Sequence, residues 1–258
     1  MPADASRIPL PRVLIIDDDA ISRDVLAMML EMHGFPVDSA ESGNQALAML
    51  ENWADNDLDA LPGLILMDTQ MPGISGVQLV RFLRQFSTAP LIAISGSDPG
   101  EAIRSVTDGF LLKPIQAEDI VSLVQNGFQR KKASVVPSTA SQTGGISSEV
   151  IVDPEVLRKL KAMMPASAVR EIYAAVAADL HARIATLQAA MSTQNLTEVQ
   201  RIAHAIKGGC AMAGVTIASE AASRLEISNL QVTWPGELAK LHHALGALEG
   251  MLGGDFPA

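Results

Sequence analysis

In the first half of the chain, polar residues with chemical potential stand at the ends of short apolar runs. The acidic triplet Asp17-Asp18-Asp19 follows VLII, Asp68 follows LILM, Ser95 closes PLIAIS, and Lys113-Pro114 follows FLL. Converging carboxylates repel one another unless a hard cation sits among them, and oxygen ligands of this kind suit Mg²⁺, which keeps several of its waters. A hydroxyl and an ammonium nearby supply a donor and a positive charge for phosphoryl oxygens. The constellation predicts Mg²⁺-assisted phosphoryl chemistry. In the second half, His204 stands out in the segment RIAHAIKGGCAMAG. On a helix advancing about 100° per residue, Val199, Ile202, Ala203, Ile206 and Cys210 form an apolar stripe. His204 falls on the opposite side with Lys207 and Gly208, so its imidazole is expected to face solvent. Two adjacent glycines inside a helix cost on the order of 1 kcal/mol each relative to alanine. That cost at Gly208 is explained if a partner's backbone and a phosphoryl group come close there, with Lys207 supplying positive charge.

The elements that must position these residues follow from periodicity. Apolar runs at Val13 to Ile16, Pro36 to Ser39, Leu64 to Met67, Pro90 to Ser95 and Phe110 to Leu112 read as strands. They alternate with helical patterns over Ile21 to Met32, Gly43 to Trp53, Val77 to Phe86, a short piece near Glu101 to Val106, and Asp119 to Phe128. Strand-helix alternation implies right-handed crossovers and a doubly wound, flavodoxin-like five-stranded parallel sheet covered on both faces. In such a sheet, ligand sites gather beyond the carboxyl ends of the strands, where the polar residues lie. Asp19 reads as a helix cap or a solvated acid rather than part of the site.

The second half has helical spacing only, over Val156 to Met163, Ala168 to Met191, Leu196 to Met212, Ile217 to Leu225 and Leu238 to Leu248. An all-α bundle is the simplest way to bury those stripes. Trp234-Pro235 reads as a loop before the last helix, with the indole ring on the bundle. Between the halves, Ser, Thr, Gly and Pro replace periodic apolar residues, which marks a flexible linker. The organisation expected is an α/β domain over 11–130, a linker over 131–150 and a helical domain over 151–255.

Composition narrows the function further. The chain has 258 residues and a formal charge of -10. Residues 11 to 132 hold 9 bases against 17 acids, net -8, and residues 149 to 258 hold 9 against 11, net -2. Neither half has the basic excess that nucleic-acid binding requires. Cys210 is the single cysteine, which excludes an intrachain disulfide and a thiolate cluster and fits a reducing cytoplasm. No stretch of about 18 apolar residues suggests membrane insertion. Cys210 itself reads as a small core residue, and His33, His181, His242 and His243 as solvated or packed.

The segments VLIIDDD, LILMDTQMPGISG, LIAISGS and GFLLKP resemble the response-regulator receiver domain, over about residues 11 to 130. The resemblance implies that Asp68 is the phosphoacceptor and that Asp17 and Asp18 organise Mg²⁺ with Asp68 and the backbone carbonyl of Gln70. It implies that Ser95 follows the phosphoryl group, Lys113 is its counter-ion and Phe110 is a switch aromatic. The Lys113-Pro114 peptide is expected to be cis. One departure is that the run between Ser95 and Lys113 is short, so the fourth helix is expected to be curtailed. The second half resembles the histidine phosphotransfer (HPt) domain, a four-helix bundle, through His204, Ile206, Lys207, Gly208 and Gly214. This implies that His204 carries a phosphoryl group as phosphohistidine.

The two resemblances together imply a phosphorelay intermediate in a two-component system, with no stand-alone catalytic activity. Its expected partners are a sensor histidine kinase and another receiver-domain protein, with no nucleic acid and no small-molecule substrate. The alternative is a regulatory module, in which receiver phosphorylation controls access to the HPt domain. A dehalogenase-type phosphatase would need a second Asp at the position of Gln70. A complete histidine kinase would need a Gly-rich ATP-binding segment after His204, and the chain has none.

Overall fold

The run Val13–Ile16 has no polar side chain to offer water on either face. In the computed structural model, which describes residues 10–96, 98–115, 117–125, 151–227 and 231–254, it forms a strand of a five-stranded parallel sheet. Strands β1 (Val13–Ile16), β2 (Val37–Ala40), β3 (Leu64–Asp68), β4 (Leu91–Ser95) and β5 (Gly109–Leu112) alternate with five helices. These are α1 (Ala20–Met32), α2 (Gly43–Asn56), α3 (Gly76–Phe86), α4 (Gly100–Arg104) and α5 (Ala117–Gln125). The sheet order β2-β1-β3-β4-β5 places β1, β3 and β4 inside. Every residue of those three strands is buried, as strands covered on both faces must be.

Register aligns the strand ends. Ile16 pairs with Met67, Asp68 with Ile94, and Ser95 with Leu112. At the β2 edge, Arg12 and Asp38 form an ion pair at 2.7 Å. Three strand starts differ from expectation by one residue: β5 begins at Gly109 rather than Phe110, and at the other two proline is the reason. Pro36 and Pro90 have no N–H to give the ladder, so β2 begins at Val37 and β4 at Leu91. Their carbonyls still accept from Val13 (2.8 Å) and Ile65 (2.9 Å). The fourth helix is curtailed as expected, to five residues. The expected end of the fifth helix at Phe128 and the linker lie outside the described residues.

The chain forms two compact units, one mainly from each half. The second is helical: α6 (Pro154–Met163), α7 (Ala166–Ser192), α8 (Leu196–Met212), α9 (Thr216–Ile227) and α10 (Trp234–Gly253). Among the described residues, α7 packs on α8 and α10, and α9 packs on both of those helices, which closes a four-helix bundle; α6 lies against α7. Local chemistry sets the ends. Asp153 caps α6 by accepting from the Glu155 N–H (2.8 Å), and Asn195 caps α8 by accepting from Glu198 (3.2 Å). Gly214 ends α8 at φ 72°, and a Cβ there would fall 2.8 Å from the Val156 Cβ, so only glycine fits.

Trp234-Pro235 corrects the expectation of a loop: the pair forms the first turn of α10. Proline is at home there, because the N–H it lacks has no intrahelical partner in a first turn. The Trp234 side chain is buried.

Tyr173 of α7 is fully buried and its hydroxyl donates to the Ala213 carbonyl at the end of α8 (3.0 Å). Burial pushes its phenol pKa up, so it remains a donor. Tyr173→Phe leaves that carbonyl unpaired and should cost about 1–3 kcal/mol, read as a lower urea midpoint at unchanged slope.

Candidate functional site

Beyond β1 the chain turns polar at once. Asp17 is buried, and its N–H donates to the Ala40 carbonyl (3.2 Å), continuing the line of the strand. Asp18 is half-buried. Asp19 accepts from the Ser22 N–H at 2.7 Å and so caps α1. Asp68 is the last residue of β3 and Ser95 the last of β4, both buried. Lys113 directly follows Leu112, the register partner of Ser95, and its bond to Pro114 is cis. The sheet therefore carries Asp17, Asp68, Ser95 and Lys113 at the carboxyl ends of β1, β3, β4 and β5, which are neighbouring strands. Phe110 sits half-buried on β5, under the guanidinium of Arg104 at 4.5 Å.

The chemistry of the donors suits a hard cation: carboxylate oxygens with no sulfur or imidazole among them. Among the described residues, no three acidic, histidine or cysteine side chains are gathered as a ready-made metal cluster. Mg²⁺ does not require one, since it is usually held by one or two carboxylates, waters and substrate phosphate. At Gln70, whose carbonyl is expected to face the metal, the N–H also engages the site. It donates to Asp68 Oδ1 at 2.8 Å, which leaves the other carboxylate oxygen outside that contact.

In the helical unit, His204 and Lys207 lie one turn apart on α8, and Gly208 is buried. The imidazole is not simply turned to solvent as its helical phase predicts. Glu226, near the end of α9, accepts from His204 Nδ1 at 2.7 Å through Oε1 and from Lys207 Nζ at 2.9 Å through Oε2. These hydrogen bonds, that from His204 foremost, hold the Glu226 carboxyl at about 2 against the opposing effect of burial. An ionised carboxylate only accepts, so Nδ1 carries the proton. The lone pair of neutral His204 is then on Nε2.

Glu226 is the functional residue that sequence reasoning missed. A signal for it exists in the hairpin arithmetic. His204 is ten residues before Gly214 and Glu226 twelve after it, so at about 1.5 Å per residue the two stand nearly level on antiparallel helices. The remaining histidines have other roles. His33 Nδ1 contacts the Met29 carbonyl (2.8 Å), His242 contacts Gln188 (3.2 Å) and His181 stands 4.0 Å from Glu249. Cys210 is buried, and burial pushes its thiol up, away from reactive thiolate chemistry. Among the described residues, no helix is long and apolar enough to cross a membrane.

The family model of the response regulator receiver domain matches residues 13–125, and that of the Hpt domain matches residues 171–251. The chain is 32% identical over 125 residues to the transcriptional regulatory protein ResD of Bacillus subtilis, covering 46% of this chain and 48% of ResD. It is 33% identical over 120 residues to an uncharacterized 14.6 kDa protein of Leptolyngbya boryana, covering 44% of this chain and 86% of that one. The chain spans about half the length of ResD and 63% of a probable transcriptional regulatory protein of Picosynechococcus. A receiver domain from Methylobacillus flagellatus is 27% identical, with 45% of this chain and 98% of that one covered at a TM-score of 0.41. The sheet order β2-β1-β3-β4-β5 is that of the flavodoxin-like doubly wound fold.

The lowered Glu226 pKa has a testable sign. Its stabilisation is present above the ordinary carboxyl value of 4.5 and is lost as pH falls towards about 2. Glu226→Gln should therefore be less stable than the wild type above pH 5, and the gap should close as the pH approaches 2. Urea unfolding at a series of pH values measures this directly.

Proposed function

This chain belongs to the two-component phosphorelay proteins, joining a receiver domain to an Hpt domain, and we propose that it acts there as a relay intermediate loaded at both Asp68 and His204. The observation that carries the reading is the His204 contact with Glu226, because it leaves Nε2 as the nucleophilic nitrogen of a histidine already placed in an Hpt domain. Asp68 is the complementary acceptor at the end of β3.

In the first transfer, an Asp68 carboxylate oxygen attacks the phosphorus of a phosphohistidine on a sensor kinase. The P–N bond breaks, the imidazole nitrogen takes the electron pair, and an acyl phosphate remains. Mg²⁺, held by Asp17 and Asp18 with Asp68, would offset charge on the transferring oxygens. Lys113 adds a second positive charge, and the Ser95 hydroxyl donates to a phosphoryl oxygen. The Gln70 N–H steadies the Asp68 carboxylate.

In the second transfer, His204 Nε2 attacks the phosphorus of an aspartyl phosphate, on this receiver or on a separate receiver protein, and the P–O bond to the aspartyl oxygen breaks with the carboxylate leaving with the electron pair. Glu226 keeps the Nδ1 proton in place, so the ring can carry positive charge as the P–N bond forms. Lys207, drawn in by the same carboxylate, adds a cation beside the incoming oxygens. Its place of action in this reading is the cytoplasm. ResD is by name a transcriptional regulator, but here a bundle of net charge -2 follows the receiver, and phosphoryl transfer replaces DNA binding as the output.

Phosphate labelling by a phosphorylated sensor kinase, with a second receiver added, tests the relay. The wild type should carry label and pass it on. Asp68→Ala should lose the base-labile aspartyl label, and His204→Ala should lose the acid-labile, base-stable histidyl label and delivery. Labelling unchanged in both variants would overturn the relay.

A further inference from the structure

The turn that brings Glu226 level with His204 is gripped from outside its own hairpin. Three residues, Ala213 to Val215, join α8 to α9, and Ala213 and Val215 are fully buried. Their N–H groups run back into α8, donating to the carbonyls of Gly209 (3.3 Å), Ala211 (3.1 Å) and Cys210 (2.8 Å). Among the described residues, three further bonds reach this region from other elements. The Tyr173 hydroxyl of α7 donates to the Ala213 carbonyl (3.0 Å), and the Asp153 N–H donates to the Gly214 carbonyl (2.7 Å). The N–H of Thr216, the first residue of α9, donates to the Ile151 carbonyl (3.2 Å). Asp153 also caps α6, and Val156 of that helix stands against Gly214. Groups that a surface turn would leave to water are here taken up by one short segment and one buried phenol.

We propose that Ile151, Asp153 and Tyr173 form a clamp on the α8–α9 turn that sets the level of Glu226 against His204, making them positioning residues for phosphoryl transfer at the far end of the hairpin. The inference rests on the phosphohistidine reading of His204. Its physical basis is leverage. Glu226 is ten residues past Thr216, about 15 Å along α9, so a tilt of about 10° at the turn would carry it roughly 2.5 Å sideways. Its contacts, 2.7 Å to His204 Nδ1 and 2.9 Å to Lys207 Nζ, do not survive a shift of that size. Packing alone resists such a tilt weakly, because the buried face of α9 is Ala218, Ala221, Ala222 and Leu225, and methyl groups interlock only shallowly with a neighbouring helix. The three bonds at the turn supply the missing resistance. With Glu226 displaced, nothing fixes Nδ1 as the protonated nitrogen. A share of His204 then carries its proton on Nε2, which leaves that nitrogen no lone pair with which to attack phosphorus.

The test uses the full chain with ring-nitrogen-labelled histidine, the His204 resonances being assigned with His204→Gln. In the wild type the two ring nitrogens should report a proton on Nδ1, and Glu226→Ala should move both towards a mixture of tautomers. Tyr173→Phe and Thr216→Pro should each move them part of the way in the same direction. Proline suits the first position of a helix, so Thr216→Pro deletes the N–H that donates to Ile151 and leaves α9 intact. Thr216→Ala keeps that N–H and should stay at wild-type values. In the labelling assay with kinase and second receiver, transfer at His204 should slow roughly 2- to 5-fold in both clamp variants, the equivalent of one weakened hydrogen bond. In the Glu226→Ala background neither should slow it further. The clamp is wrong if Tyr173→Phe leaves the ring nitrogens at wild-type values, whether or not Thr216→Pro folds. It is equally wrong if Thr216→Ala shifts them as far as Thr216→Pro, or if Glu226→Ala does not shift them at all. If the wild type takes no label on His204, the phosphohistidine reading fails, and the ring nitrogens alone decide whether the clamp holds Glu226 in place.

Discussion

A strand covered by helices on both faces can hold nothing polar until it ends, and this constraint organises the α/β half. β1, β3 and β4 are buried throughout, and an unpaired charge at their middle would cost several kcal/mol. Acids, hydroxyl and ammonium are therefore confined to the carboxyl ends, which the parallel arrangement brings to one side of the sheet. Register then fixes which of them are neighbours: Asp68 beside Ile94, and Ser95 beside Leu112.

The helical half obeys a different rule, since a bundle has no common end at which polar groups must collect. His204 gains its surroundings instead from a second helix brought level with it by a tight turn. One carboxylate with two oxygens serves two cationic or protonated partners, each at hydrogen-bonding distance. Sharing in this way holds the ring orientation and the lysine together, so neither is set independently of the other.

Much of this was legible in the amino-acid sequence, for physical reasons. Buried parallel strands read as short unbroken apolar runs, and the polar residues that follow them have few reasons to be there except chemistry. The curtailed α4 was legible as a simple deficit of residues between Ser95 and Lys113. What escaped depended on contacts between elements or on single backbone groups. Glu226 is an ordinary acid at the end of a helix until Gly214 folds α9 against α8. The grip of Arg104 on Phe110 needs the position of α4 over the edge strand. The Gln70 N–H contact with Asp68 is a backbone matter that side-chain types cannot announce, and Trp234-Pro235 reads equally as loop or as first turn by composition.

The pairing of Arg12 with Asp38 bears on how copies of this molecule meet. β2 is an outer strand of only four residues, and this ion pair, with Ser39 beside it, makes its rim short and charged. A free strand that docked there would have to strip water from both charges to gain a few ladder hydrogen bonds. The sheet is thus guarded on that side against growing from one molecule into the next.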